Sequence, residues 1–389
     1  MRSESGCATG VRLRDPPLTC NGANYPPQDA SRIEWPAALA DSASEDATGA
    51  EKSNPVREAE MHDTIKATLC AVLMSLGVAA HAKEHWALAI HGGAGVIEKG
   101  NLSAADEAAY RASLSAALDA GAKVLRGGGS SLDAVEATLR LLEDDPLFNA
   151  GKGAVFDAEG HNQLDASIMD GRNRAAGAVA GVTRTKNPIS LARAVMERSK
   201  HVMLTGAGAD EFSKEQGLEQ VDPSYFRTDR RWKEYEEWRA GQQASARDLT
   251  HLYGTVGAVA LDTSGHVAAG TSTGGLTGKR WGRVGDSPVI GAGTYAADGV
   301  CAVSATGTGE YFIRSTAARQ LCDRIEWKRE SVQAAADGTI ASIGELGGDG
   351  GLIAMDGGGK IAFAMNSPGM YRGWITDGTA AQTAIYAGE

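Results

Sequence analysis

The most reactive arrangement in the chain is a junction. A polar, charged stretch from Ser224 to Thr250, carrying Arg230-Arg231, Glu236-Glu237 and Gln242-Gln243, is followed by Gly254-Thr255, and a strand-forming run from Val256 to Asp262 begins at once. A threonine hydroxyl is a weak nucleophile until a base takes its proton. If the chain is cut in front of Thr255, that residue gains an α-amine. An ordinary α-amine pKa of about 8 lets it act near neutral pH as the base for its own hydroxyl. Gly254 suits such a cut, because the hydroxyl must reach the preceding carbonyl through a strained backbone without a bulky neighbour. Taken alone, a Gly-Thr pair ahead of a strand is more often an ordinary loop meeting an ordinary strand.

Two further groups carry chemistry. Arg283 and Asp286 stand three residues apart across a glycine. A guanidinium offers a planar fork to a carboxylate, and an aspartate accepts from an ammonium, so the pair could grip the zwitterionic end of a free amino acid. An isolated pair of this spacing is more commonly a surface salt bridge. The run Thr306-Gly307-Thr308-Gly309-Glu310 reads as a turn opening a helix; it lacks the lysine of a Walker loop, so phosphate binding finds no support. His81 and His85 have the one-turn spacing of a helical metal pair, but a proposed cleavage between them would part them, and no C-x-x-C cluster points to zinc. No histidine is assigned a catalytic task.

The elements that must position these residues read as follows. Trp86 to Ile90 is a short apolar strand ending in a turn, His91-Gly92-Gly93-Ala94-Gly95. Ser103 caps a helix whose Leu114, Leu118, Gly121 and Leu125 share one face, and Ser130 or Ser131 opens a second with Leu132, Val135, Leu139 and Leu142 at helical spacing. Strands are expected at Ala154-Phe156, Asp165-Met169, Gly177-Val182, Val256-Asp262, His266-Thr271, Leu352-Met355 and Ile361-Ala364. Helices are expected at Ile189-Glu197, Asp210-Glu215 and Glu310-Cys322, with one near Trp232-Trp238 inside an exposed, mobile segment. Strands in hairpins and helices in groups favour antiparallel sheets covered by helices, an α+β fold.

Composition narrows the partners. A net charge of -11 without a basic patch argues against nucleic acid. Residues 1–60 are polar, carry Pro-Pro pairs and read as a disordered extension, or as sequence upstream of a start at Met61. Met61, Lys66, the apolar run Ala67 to Ala80 and Ala80-His81-Ala82 make a secretory signal peptide over 61–82, too short to span a bilayer. Export to the periplasm and a mature chain from about Lys83 are expected. Cys301 and Cys322 would remain, as a bridge or as two buried thiols.

Several ordered blocks resemble one family: HGGAG from His91, FNAGKGAVF from Phe148, LDASIMDG from Leu164, GTVGAVALD from Gly254, TSTGGLTGKRWGRVGDSP from Thr271 and TGTGE from Thr306. The chain is similar to the plant-type L-asparaginases and isoaspartyl peptidases, within the N-terminal nucleophile hydrolases. The resemblance implies a four-layer αββα sandwich cut between Gly254 and Thr255 into an α subunit (83–254, with a mobile tail from about 224) and a β subunit (255–389). Together these form one catalytic domain that assembles as an (αβ)2 heterotetramer. It makes Thr255 the nucleophile, Thr273 its orienting partner, and Arg283 and Asp286 the grip on an aspartyl substrate. It gives Thr306 and Gly307 the oxyanion hole, lays Gly309 against the substrate and puts Asn149 beside the nucleophile. The implied substrates are L-asparagine and β-aspartyl dipeptides. No cofactor is implied for catalysis, and a structural Na+ would sit on the backbone carbonyls of Leu142, Glu143, Asp145, Phe148, Ala150 and Lys152. Two alternatives stay open. A glycosylasparaginase shares GRVGDSP but usually carries Asn where Gly274 stands and Asp where Glu310 stands. An exported amino-acid-binding protein that never cuts itself would keep Arg283 and Asp286.

Overall fold

The computed structural model describes residues 85–95, 97–244 and 254–389. The proposed extension (1–60) and signal peptide (61–82) lie outside these residues, as do 245–253. Within them a mixed α+β fold is built on two sheets. The larger runs β12-β11-β1-β5-β6-β2-β3-β4, with β1 Ala87–Gly95, β2 Leu164–Asp170, β3 Ala176–Val182, β4 Met203–Thr205, β5 Val256–Leu261, β6 Val267–Thr273, β11 Gly369–Thr376 and β12 Gln382–Tyr386. Its ladders are antiparallel except β3 with β4. The smaller is antiparallel, in the order β10 (Ile361–Met365), β9 (Gly350–Asp356), β8 (Cys301–Gly307), β7 (Thr294–Ala297).

Side chains alternate across a strand, and here both faces are apolar. Leu88, Ile90, Val256, Ala258 and Ala260 turn toward helices α1 (Ala104–Arg126), α2 (Ser131–Asp144) and α3 (Pro188–Arg198). Ala87, Ala89, Val259, Leu261 and Ala269 turn the other way, against the small sheet. Cys301 and Ser304, three residues apart on β8, face opposite sides: Ser304 meets Thr271 of β6, and Cys301 is disulfide-bonded to Cys322 of α7 (Ala317–Lys328), Cα atoms 5.7 Å apart. Both residues are fully buried, and the bond between their sulfurs makes the pair a bridge and not two buried thiols. Helix α8 (Val332–Glu345) packs beside α7 on the same core.

Ser103 caps α1 by accepting the Asp106 N–H at 3.1 Å, and Ser130 caps α2 in the same way. Three local expectations differ from the structure. The HGGAG residues do not leave the sheet as a turn; β1 continues through them with a bulge between His91 and Ala94, because β11 still pairs beyond it. Ala154–Phe156 form a buried loop and not a strand. The helix expected over Glu310–Cys322 is broken at Thr316, whose φ of 49° ends α6 (Gly309–Ser315) before α7 starts.

The polar segment from 224 is also more ordered in its first part than its composition implies. A 3-10 turn at Pro223–Phe226 buries Phe226, and α5 (Asp229–Ala244), which follows α4 (Gly206–Glu215), lays Tyr235 and Arg231 against the body. Phe156, Trp232, Tyr235 and Trp238 form a continuous aromatic ladder. A single apolar edge, drawn from widely spaced aromatics, holds a helix whose other faces are charged.

Candidate active site

Thr255 immediately precedes β5, the strand between β1 and β6, and is 8% exposed. The antiparallel register that sets Val256 opposite Ser272 brings Thr273, the last residue of β6, alongside it. The Thr255 hydroxyl donates to Thr273 Oγ1 at 3.2 Å, which also accepts the Gly275 N–H at 3.0 Å and donates to the Gly254 carbonyl oxygen at 3.1 Å. Asn149 Nδ2 donates to that same oxygen at 2.7 Å and to the Gly275 oxygen at 2.8 Å. Asn149 is itself fixed, its Oδ1 accepting the Val155 N–H. The carbonyl in front of Thr255 therefore faces the donors that stabilise an oxyanion when a hydroxyl attacks it.

Next to this bond a small pocket is lined by Thr255, Thr273, Arg283, Asp286, Ser287 and Gly307. Asp286 is buried, its Oδ2 has no hydrogen-bond partner among the described residues, and burial pushes its carboxyl up to about 7 against the pull of Arg283. An uncompensated buried carboxyl is an acceptor waiting for a cation. Arg283 is held by a paired bond to Glu310, Nε to Oε1 at 2.9 Å and Nη2 to Oε2 at 3.0 Å, which in turn keeps the Glu310 carboxyl below its ordinary value. A Cβ on Gly309 would stand 2.8 Å from Asp286 Oδ1 and 3.0 Å from Arg283 Nη2, so glycine there keeps the space between the two charges open. Thr306, fully buried at the end of β8, accepts the Ala94 N–H at 3.4 Å, and its own proton is uncommitted among the described residues.

Each residue singled out in the sequence as catalytic or substrate-binding thus lies at or beside one site: Gly254, Thr255, Thr273, Asn149, Arg283, Asp286, Thr306, Gly307 and Gly309. Arg283 and Asp286 do not pair as a surface salt bridge; Glu310 takes the guanidinium instead, a role for which the only sequence signal was its place in the TGTGE block. Of the six positions from Leu142 to Lys152, Leu142 and Glu143 end α2, and the other four lie on the loop that leads from it to Asn149 and on past it. There the Glu143 carbonyl accepts the Lys152 N–H at 2.7 Å, while those of Leu142 and Asp145 accept only at 3.4 and 3.3 Å. An uncharged set of carbonyl oxygens of this kind suits a hard cation. The Glu143 side chain points elsewhere, into the core, where Oε1 accepts from the Ser272 hydroxyl and the Ile189 N–H and Oε2 has no hydrogen-bond partner among the described residues.

Sequence reasoning missed His91. Its Nδ1 lies 3.1 Å from the Thr255 carbonyl oxygen and its Nε2 2.9 Å from Ser304 Oγ. A carbonyl can only accept, so Nδ1 carries the proton and Nε2 accepts from Ser304. Burial lowers the ring to about 3, which keeps it neutral. Behind Ser304 runs a buried hydroxyl chain: Thr271 at 2.7 Å, Thr294 at 2.6 Å from Thr271, and Ser167 at 2.8 Å from Thr294 and 2.6 Å from the Ser287 carbonyl. The chain joins the nucleophile's backbone to the residue after Asp286. Lys279 is buried, with Nζ on the Gln163 carbonyl at 2.8 Å. A roomier cavity, about 310 Å³ between α2 and α3, is lined by Glu136, Arg193 and Glu197, whose charges are spent on one another.

A family model described as Asparaginase matches residues 84–385. The isoaspartyl peptidase of Escherichia coli (strain K12) is 47% identical over 309 residues, covering 77% of this chain and 95% of that protein. A probable isoaspartyl peptidase/L-asparaginase 2 of Arabidopsis thaliana is 43% identical over 325 residues, 77% of this chain and 99% of the relative. The human isoaspartyl peptidase/L-asparaginase is 43% identical over 265 residues, 68% and 84% of the two chains.

Proposed function

The chain belongs to the asparaginase family, and on that footing we propose that it hydrolyses β-aspartyl dipeptides and L-asparagine to L-aspartate, with Thr255 as nucleophile. One observation carries the reading. The Thr255 hydroxyl, the carbonyl ahead of it and a pocket built to take an ammonium and a carboxylate meet at one point.

The intact chain has no amine at Thr255, so activation comes first. Oγ1 attacks the Gly254 carbonyl carbon. The negative charge that forms on the carbonyl oxygen rests on Asn149 Nδ2 and the Thr273 hydroxyl. The C–N bond breaks as its nitrogen takes up the proton that Oγ1 gives up, leaving Gly254 as an ester on Oγ1. Water cleaves the ester, giving a Gly254 carboxylate and a free Thr255 amine.

In the processed enzyme Asp286 takes the substrate's α-ammonium and Arg283 its α-carboxylate. The Thr255 amine removes the Oγ1 proton, and Oγ1 attacks the side-chain amide carbon. The oxyanion is held by the Thr306 hydroxyl and the Gly307 N–H. The ammonium of Thr255 hands its proton to the departing nitrogen, which leaves as ammonia or an amino acid. Water, deprotonated by the amine, then frees aspartate from the β-aspartyl-Thr255 ester.

The same proposal includes the four-layer αββα sandwich of the N-terminal nucleophile hydrolases, an (αβ)2 assembly and a structural Na+ on the carbonyls of Leu142, Glu143, Asp145, Phe148, Ala150 and Lys152. Such an ion would stiffen the loop that presents Asn149. Export to the periplasm is supported by the buried Cys301–Cys322 disulfide, a bond that persists in oxidising compartments. The glycosylasparaginase alternative loses ground at Gly274, where a Cβ would stand 2.5 Å from Asn149 Oδ1 and 2.7 Å from Ala154 Cβ, leaving no room for the asparagine those enzymes usually carry. Aspartate release from L-asparagine and from β-aspartyl dipeptides, measured for the wild type and Thr255→Ala, tests the proposal: activity in the first and none in the second is expected, and turnover by Thr255→Ala would refute it.

A further inference from the structure

We infer that the cavity on the far side of Gly254 is the subsite for the leaving amino acid of a β-aspartyl dipeptide, and that Arg230 is the residue there that takes its α-carboxylate. The inference rests on the reading of Thr255 as nucleophile and adds what that reading leaves open, where the leaving group goes.

Gly254 is a wall shared by two spaces. On one side lies the pocket of Thr255, Arg283 and Asp286; on the other lies a cavity of about 190 Å³ whose lining includes Leu102, Leu147, Phe148, Tyr371 and Arg230. A cut between Gly254 and Thr255 removes the covalent tie that keeps this wall in place, and its withdrawal joins the two spaces at the nucleophile. The aspartyl half of a dipeptide is committed to Arg283 and Asp286. Whatever follows the scissile nitrogen must lie beyond Thr255, and this cavity is the described space that begins there.

Its chemistry fits an amino acid with an apolar side chain. The floor is rigid and apolar: Tyr110 and Tyr371 stack with ring centres 4.0 Å apart, and Phe148 meets Tyr110 edge-on at 5.6 Å. At the rim stand two guanidinium groups in different states. Arg231 is buried and spent, Nε on the Gly153 carbonyl at 2.7 Å and Nη1 on Glu234 at 2.8 Å. Arg230 keeps 47% of its side-chain surface exposed; Nη1 donates to the Tyr110 hydroxyl at 3.0 Å, Nε reaches Glu234 only at 3.3 Å, and Nη2 has no bond among the described residues. A positioned guanidinium with a free edge beside an apolar floor matches a carboxylate next to a Leu- or Phe-like side chain. L-Asparagine releases ammonia and needs none of this.

The test compares three substrates on processed wild type and Arg230→Gln: β-aspartyl-leucine, β-aspartyl-leucinamide, which lacks the carboxylate, and L-asparagine. Losing one charge-assisted hydrogen bond at a half-exposed site corresponds to about a 10-fold loss. The ratio of kcat/KM for β-aspartyl-leucine to that for its amide is expected to fall by about that factor in Arg230→Gln. Asn101→Trp, which narrows the same cavity from an exposed position, should lower the ratio of dipeptide to asparagine turnover and serves if Arg230→Gln is not processed. An unchanged ratio in both variants, as when the severed Gly254 end stays in the cavity, overturns the subsite. If the wild type hydrolyses none of the three, the reading of Thr255 itself fails and the inference falls with it.

Discussion

His91 holds the carbonyl of Thr255, Nδ1 to oxygen at 3.1 Å, although the two residues are 164 positions apart in the chain. The contact fixes the peptide plane on the C-terminal side of the nucleophile, and with it the direction in which the α-amine and hydroxyl of Thr255 project. Space for it is made by Gly257, where any Cβ would collide with both Ser304 Oγ and His91 Nε2. Gly257→Ala is therefore expected to cost about 1–3 kcal/mol by overpacking and to lower turnover at least 10-fold. Thermal melts and kcat measure the two effects. Wild-type values of both would remove His91 from the account.

The two sets of oxyanion donors should separate by mutation. Asn149 Nδ2 touches the Gly254 carbonyl in the uncut chain, so Asn149→Ala is expected to slow self-cleavage by about 100- to 1000-fold. Thr306→Val leaves that carbonyl untouched. It should yield a cut protein whose hydrolysis of asparagine is lower by a similar factor. A denaturing gel over time reads the first and a coupled ammonia assay the second.

Asp286 sets a pH dependence. Its carboxyl, raised to about 7 by burial, holds an ammonium only when ionised. The value of kcat/KM should accordingly fall as pH drops below about 7, approaching tenfold per unit. Asp286→Asn should lose that limb and bind substrate more weakly at every pH. A limb that survives unchanged in the variant would belong to another group, the Thr255 amine being the first candidate.

Glu143 makes stability, not activity, depend on pH. Burial raises its carboxyl from 4.5 to about 8, so the folded protein retains a proton that the unfolded chain releases. Folding is favoured by this group below the unfolded value, and the benefit is lost as pH rises through the folded one. The slope is at most about 1.4 kcal/mol per unit. Glu143→Gln keeps acceptors for Ser272 and Ile189 and should flatten the urea midpoint between about pH 5 and pH 8.

What the sequence made legible, and what it hid, divides along physical lines. The helices capped by Ser103 and Ser130 could be placed because a cap and an apolar stripe are local signals. The central strands were equally plain, since runs such as Val256–Leu261 are apolar on both faces. Thr255, Thr273, Arg283 and Asp286 stood out because their types and blocks carry chemistry. His91 did not, because its partners are distant in sequence: Thr255 comes beside it through the pairing of β1 with β5, and Ser304 comes from the other sheet. Helix α5 was underestimated for a related reason: its burial depends on aromatic partners such as Phe156, far outside the segment. The break at Thr316 has no glycine or proline to announce it.

Intact-mass analysis of the purified, active protein tests the central claim most directly. The account predicts two polypeptides, the smaller beginning at Thr255 by N-terminal sequencing, and one uncut chain for Thr255→Ala. An active wild-type protein that remains a single chain through residues 254 and 255 would contradict it.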